Sequence, residues 1–395
     1  MEKRGVRPMP NGQTVHMSSD DHDASGLVLS RRRSRWHRGR PPGGAAVRGP
    51  VDVRAAVRTL LTDFVATECL PQLDGTGIGA ASQVLSDFLD GGKYVRSTFM
   101  YLGWLCGADE DESALRASAS LELLHAFALL QDDVMDESAL RRGRPAAHVA
   151  LSAWHRGRGL TDSSDRFGES AATVLGDLCL VWAEKMLRQS GVDADALARV
   201  WPRYDDMRVE LAIGQLADLV NDSHAFPTFD EVLDVARRKS GNYTVRRPLE
   251  IGAAMAGCRT EVVDAIGQYG AAIGEAFQLR DDLLGISGSP TVTGKSVGID
   301  LEAQKATSVV VAAHQLADPG MRRQLADLMT TPTLTVADAE RWRTLIIASG
   351  AAQWIEELID ERLTRAVRCL DVAGIPQTAR AAMEDMAVYC TKRSA

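Results

Sequence analysis

The chain has 395 residues, 45% of them hydrophobic, with 45 Lys and Arg against 53 Asp and Glu for a formal net charge of −8. No apolar run is long and charge-free enough to span a bilayer, which excludes a membrane span, and no nucleic-acid partner is expected of so acidic a body. Six cysteines, at 69, 106, 179, 258, 369 and 390, form no C-x-x-C pair, which argues against a zinc site or a disulfide framework and fits reduced core residues of a cytoplasmic protein.

Residues 1–50 differ from the rest. They hold ten Lys or Arg against four Asp or Glu, leaving 35 against 49 for residues 51–395. With few large apolar residues and Pro-Pro-Gly-Gly at 41–44, this segment is expected to be a disordered basic tail. The run R-R-R-S-R-W-H-R-G-R at 31–40 is a solvated tail more readily than a contact for nucleic acid or anionic lipid. No apolar stretch follows it to make a secretory signal.

From Val51 onward apolar residues recur at three- and four-residue steps, for example in V-R-T-L-L-T-D-F-V and A-S-A-S-L-E-L-L-H-A-F-A-L-L. Strand signals are absent, and Gly-, Ser- and Thr-rich loops are expected at 155–168 and 287–298. The fold class is therefore all-α, one large helical bundle spanning 51–395.

Chemistry-bearing residues appear along this bundle in order. G-G-K-Y-V-R at 91–96 puts Lys93 and Arg96 behind two glycines that leave backbone amides open to an anion. Then comes L-L-Q-D-D-V-M-D, with Asp132 and Asp136 on one helix face, roughly 5–6 Å apart at Cβ, and Asp133 swung about 100° away. Arg141 and Arg142 follow in R-R-G-R-P, Lys239 in K-S-G-N-Y, Asp281 and Asp282 in F-Q-L-R-D-D-L-L-G, and Lys295 in T-G-K-S-V-G-I-D. Adjacent carboxylates on a core-facing helix are costly unless a cation neutralises them, and oxygen-only clusters suit Mg²⁺ bridged to phosphate oxygens. Each cation alone reads as a surface residue. Two acid clusters and several cations together read as a site for diphosphate held through metal.

These landmarks, joined by G-D-L at 176–178 and G-Q-L-A-D-L at 214–219, give the chain a close resemblance to the trans-isoprenyl diphosphate synthases, among them the bacterial geranylgeranyl diphosphate synthases. The resemblance implies the isoprenoid synthase fold with a central catalytic cavity, a homodimer, and Mg-dependent condensation of isopentenyl diphosphate with an allylic diphosphate. It implies three Mg²⁺ ions, two on Asp132 and Asp136 and one on Asp281, with Asp133 and Asp282 supporting the metal shell. It assigns Arg141, Lys239 and Lys295 to the allylic diphosphate, and Lys93, Arg96, His125 and Arg142 to isopentenyl diphosphate. Gln278 and the backbone near Ser240 are in position to favour the cation formed on ionisation. The sequence departs from the family pattern at Gly285, where a third aspartate is common, at Gln131 and at Ser240.

Product length in this family depends on the pocket beneath the first cluster, here Leu124, Phe127 and Ala128. An aromatic residue five positions before the first aspartate, with no insertion inside D-D-x-x-D, resembles one pattern of geranylgeranyl synthases. Farnesyl or a longer product stays open. Two further readings are a terpene cyclase, whose second metal motif Asn221-Asp222 fails to complete, and a regulatory prenyltransferase subunit, against which the intact first cluster speaks.

Overall fold

Most of the apolar periodicity is realised as α-helix. The computed structural model describes residues 50–221, 226–287, 301, 304–331, 333–371 and 374–392. The basic tail before Pro50 and Lys295 lie outside the described residues.

The first half comprises α1 (Pro50–Phe64), a π-helical turn (Val65–Cys69), α2 (Leu70–Leu73), α3 (Ala81–Leu89), α4 (Val95–Trp104), α5 (Glu112–Met135), α6 (Ala147–Gly157), α7 (Ser164–Arg188) and α8 (Ala194–Asn221). There follow α9 (Phe229–Val235), a π-helical segment (Ala236–Arg246), α10 (Arg247–Met255) and α11 (Thr260–Ser287). Beyond the next described residues come α12 (Ser308–Leu316), α13 (Pro319–Met329), α14 (Val336–Ala348), α15 (Ala351–Cys369) and α16 (Gln377–Thr391). Among the described residues no helix is long and apolar enough to cross a membrane.

Helix α5 is the axis of the bundle. Asp111 caps it by accepting from Ala114 N at 2.8 Å, and Leu121, Leu123, Leu124 and Leu130 are buried from end to end. Each such leucine stabilises the fold by roughly 1.5–3 kcal/mol. Its buried serines cost little, because Ser118 and Ser120 donate to the carbonyls of Ala114 and Ala117. Helix α7 packs along α5, α4 crosses α10, and α11 lies between the π segment and α15. The α4–α10 crossing requires glycine: a Cβ on Gly252 would stand 1.8 Å from Met100 O. Helix α11 spans two apolar clusters. Its N-terminal half joins the large core around α5, and its C-terminal half, with Leu279 and Leu283, joins a second core built on α12–α15 around Trp342.

Two details depart from the sequence reading. The loop expected at 155–168 is shorter, because the Ser163 hydroxyl accepts from Arg166 N and starts α7 at Ser164. A small hairpin was not signalled: β1 (Leu140–Arg141) pairs with β2 (Arg144–Pro145) through a two-residue turn. Its turn residues, Arg142 at φ 52° and Gly143 at φ 73°, are both left-handed, the type I′ geometry. The strands are too short to show an alternating pattern.

Candidate active site

The last turn of α5 and the residue that caps it, Asp136, carry the first acid cluster, and its three carboxylates have different fates. Asp133, fully buried, turns to the hairpin and accepts from Arg141 Nε at 2.9 and 3.1 Å, with Arg141 Nη2 on the same carboxylate. Asp132 faces the other way: its Oδ1 is 2.9 Å from Lys239 Nζ, and its Oδ2 is 3.6 Å from Arg141 Nη2. Asp136 is held by Lys305.

Lys239 reaches Asp132 because α8 comes unusually close to the π segment. A Cβ on Gly214 would stand 2.5 Å from Lys239 N, so only glycine permits the approach. One turn further along α8, Asp218 Oδ2 meets Lys239 Nζ at 2.5 Å.

The electrostatics follow from this packing. Burial works against ionised Asp132, but Lys239, then Arg141 and Lys305, outweigh it and hold the carboxyl below its ordinary range. Burial likewise opposes charge on Lys239, and Asp132 and Asp218 more than offset it, so the ammonium is held firmly protonated. Lys305 is raised in the same way by Asp136. For Asp133 burial wins over Arg141, and its carboxyl is raised.

The second acid pair is divided similarly. Asp282 is buried and accepts from Gln278 Nε2 at 2.8 Å, from Ser308 N at 3.0 Å and from Ser308 Oγ at 2.6 Å. It thereby fixes the first turn of α12. Asp281, the next position round the helix, is partly exposed. The short stretch from Lys305 to Ser308 therefore ties one aspartate cluster to the other, through Asp136 at one end and Asp282 at the other.

A further polar group surrounds Arg96. Its Nη2 donates to Thr244 Oγ1 at 2.9 Å and its guanidinium lies 4.4 Å from the Tyr243 ring centroid. The His125 ring is 6.2 Å from that of Tyr243. Burial, then Arg96, Arg142 and Arg141, push the His125 pKa well down, so the ring stays neutral, and its buried Nδ1 has no hydrogen-bond partner among the described residues. Arg142 donates through Nη1 to the carbonyls of Phe88 and Asp90, tying the hairpin turn to the loop that carries the exposed Lys93. Glu122 accepts from Ser97 Oγ at 2.6 Å, and burial raises its pKa.

The structure thus gathers Asp132, Asp136, Lys239 and Arg141, and separately Arg96, His125 and Arg142. It turns Asp133 and Asp282, expected at a metal shell, toward Arg141 and Ser308, because each lies on the packed face of its helix. Gln278 is engaged with Asp282. Leu124 is fully buried, whereas Phe127 and Ala128 are half-buried against the main core. Sequence reasoning missed Asp218 and Lys305. Asp218 stood inside a quoted landmark, four residues from Gly214, but Lys305 has no local signal.

Among the described residues no three of Asp, Glu, His and Cys converge closely enough to hold a metal as placed. The donor chemistry nevertheless fits Mg²⁺. Asp132, Asp136 and Asp218 offer oxygen alone, and each already faces a cation, so the cluster is one that demands positive charge.

A polyprenyl synthetase family model matches residues 80–346. The geranylgeranyl diphosphate synthase of Mycobacterium tuberculosis is 34% identical over 281 residues, 71% of this chain and 75% of that protein. The geranylfarnesyl diphosphate synthase of Aeropyrum pernix is 31% identical over 271 residues, 67% of this chain and 79% of that one. The crystal structure of geranylgeranyl pyrophosphate synthase from Corynebacterium glutamicum, complexed with isoprenyl diphosphate and magnesium, superposes with a TM-score of 0.80 at 35% identity, covering 87% of this chain and 98% of that one. By the extent of these matches and the ordered placement of its acid clusters, the chain belongs to the polyprenyl synthetase family.

Proposed function

We propose that the protein is a Mg²⁺-dependent chain-elongating prenyltransferase that condenses isopentenyl diphosphate with an allylic diphosphate, with geranylgeranyl diphosphate as its main product. The observation that carries this reading is the joining of the two aspartate clusters through Lys305 and Ser308, with Lys239 set between Asp132 and Asp218. Ionising an allylic C–O bond puts charge on a diphosphate, and this arrangement supplies carboxylates for metal and fixed cations for that charge.

Asp132, Asp136 and Asp281 would hold Mg²⁺, three ions by the family's pattern, and the bound metal would neutralise charge building on the leaving diphosphate. Arg141, Lys239, Lys305 and Lys295 grip the same diphosphate. Asp133 and Asp282 act at one remove, by orienting Arg141 and the start of α12. Lys93, Arg96, Arg142 and neutral His125 hold isopentenyl diphosphate, whose double bond captures the allylic cation. The proton then lost passes to the departing diphosphate, and no protein base is required. Gln278, whose Nε2 donates to Asp282, would turn its remaining carboxamide oxygen toward the cation.

Phe127 and Ala128 set product length from beneath Asp132. The enzyme is read as a cytoplasmic homodimer; the exposed Val174 and Val181, seven residues apart on α7, and the exposed Val209, Ile213 and Leu216, four and three residues apart on α8, suit burial against a second copy. Incubating the pure chain with isopentenyl diphosphate, each allylic primer and Mg²⁺, then identifying products by mass spectrometry, tests the reading. Cyclic hydrocarbons would replace it with a terpene cyclase, and no turnover without a second chain would replace it with a regulatory subunit.

A further inference from the structure

The π segment carries groups for both halves of the candidate site. Lys239 Nζ is 2.9 Å from Asp132 Oδ1, and five residues further on, the buried Thr244 accepts through Oγ1 from Arg96 Nη2 at 2.9 Å. In an α-helix, residues five apart lie about 140° apart around the axis and face different neighbours. The wider π winding bonds each N–H to the fifth carbonyl back and brings such residues to nearly one face. Arg247 N, donating to Asn242 O, closes the last of these turns. The reach of Lys239 and the support of Arg96 therefore depend on the winding of the same 11 residues.

Such a winding is rare beyond a single turn, so neighbouring elements must hold it. Helix α11 meets it backbone to backbone: a Cβ on Gly274 would stand 2.6 Å from Gly241 C. That contact lets the two elements pass closely but offers no side chain to fix rotation about the axis. The next residue, Asn242, supplies one. Only 8% exposed, it donates through Nδ2 to Glu210 Oε1 at 2.6 Å.

Glu210 belongs to α8, where Glu210, Gly214 and Asp218 follow at steps of four on one helix face. Along that face Glu210 holds Asn242, Gly214 admits the backbone of Lys239, and Asp218 meets the Lys239 ammonium. The second oxygen of Glu210 accepts from Arg247 Nε at 2.7 Å, and Arg247 Nη1 donates to Glu250 Oε2 at 3.0 Å. The carboxylate is thus paired and its direction fixed, and a charged acceptor grips the Asn242 amide more firmly than a neutral one.

We propose that Glu210 is a positioning residue for both substrates: by gripping Asn242 it fixes the rotation of the π segment, which sends Lys239 to the allylic diphosphate and sets Thr244 behind Arg96 on the isopentenyl side. The substrates named rest on the elongation reading above. Glu210 and Asn242 touch neither substrate and act through Lys239 and Arg96. Without the grip the segment turns and both anchors move together. A loss of stability alone would lower the amount of active protein and leave the KM values unchanged.

Asn242→Ala leaves Glu210 paired with Arg247, so the variant is expected to fold; Asn242→Ser, a smaller change, takes its place if it does not. Steady-state kinetics of the full chain should show KM raised by about tenfold or more for both diphosphates. Glu210→Gln keeps an acceptor for Asn242 and should stay near wild type, whereas Glu210→Leu should resemble Asn242→Ala. Thr244→Val removes the support of Arg96 and should raise the isopentenyl KM alone. Adding Asn242→Ala to it should raise that KM little further, because both changes act through Arg96. Unchanged KM values in Asn242→Ala, or effects that simply multiply in the double variant, overturn the proposal. Calorimetric titration with inorganic diphosphate and Mg²⁺ reads the same alignment without turnover: affinity should fall about tenfold in Asn242→Ala, and equal affinity overturns the proposal. A wild type that does not elongate would sink the proposed function and leave this titration to decide the positioning role.

Discussion

Lys239 stands between Asp132 and Asp218, its Nζ 2.9 Å from the first and 2.5 Å from the second, so one ammonium joins α5, α8 and the π segment. Without a neutralising cation the two carboxylates would repel across a partly buried gap. The lysine holds the two carboxylates together and presents its charge where a diphosphate is proposed to arrive.

Asp132→Ala and Asp281→Ala are each expected to lower turnover on the order of a hundredfold or more, with the bundle still folded. Lys239 keeps Asp218 as partner in the first variant, which is why the fold survives. Steady-state rates at saturating Mg²⁺ check this, and near wild-type values in both variants would sink the metal assignment.

Asp133→Ala should act on stability first. It leaves the largely buried Arg141 without the carboxylate that holds it, a loss of about 3 kcal/mol. Asp282→Ala, which removes the acceptor at the start of α12, is expected to cost about 1–2 kcal/mol. Denaturant midpoints measure both; if Asp133→Ala melts like the wild type, the carboxylate has another role.

Phe127→Ala should lengthen the main product, because removing the half-buried ring opens space toward Leu124, at a stability cost of about 3 kcal/mol. Ala128→Phe should shorten it by placing a ring one turn beneath Asp132. Mass spectrometry of the products of folded variants decides, and unchanged distributions in both would put the floor of the pocket elsewhere.

Glu122 predicts a pH effect on stability. Burial raises its pKa above the ordinary 4.5, so the folded chain holds this proton more tightly than the unfolded chain does. Its stabilising contribution is present below the unfolded value and lost as pH rises through the folded one. Glu122→Gln keeps an acceptor for Ser97 and stays neutral. Melting curves of the two proteins should nearly coincide at low pH and separate toward neutrality, with the variant the more stable; parallel curves at every pH would contradict the shift.

The helical class, the order of the landmarks and the identity of the acid clusters were legible in the sequence, because periodicity and adjacent charges are local properties. The alternation of Leu, Ala and Ser through 112–135 fixes a buried helix, and a one-turn spacing puts Asp132 and Asp136 on one face whatever surrounds them. Which aspartate faces what was decided only by tertiary packing. Asp133 and Asp282 bear the same charge as their neighbours, yet a rotation of about 100° per residue turns them toward Arg141 and Ser308, groups set by a hairpin and a helix start. Lys305 lies 169 residues from Asp136 and meets it only in the folded chain. Asp218 likewise becomes part of the site only because Gly214 lets α8 approach Lys239. Such partners are chosen by the meeting of distant surfaces, which no local pattern encodes.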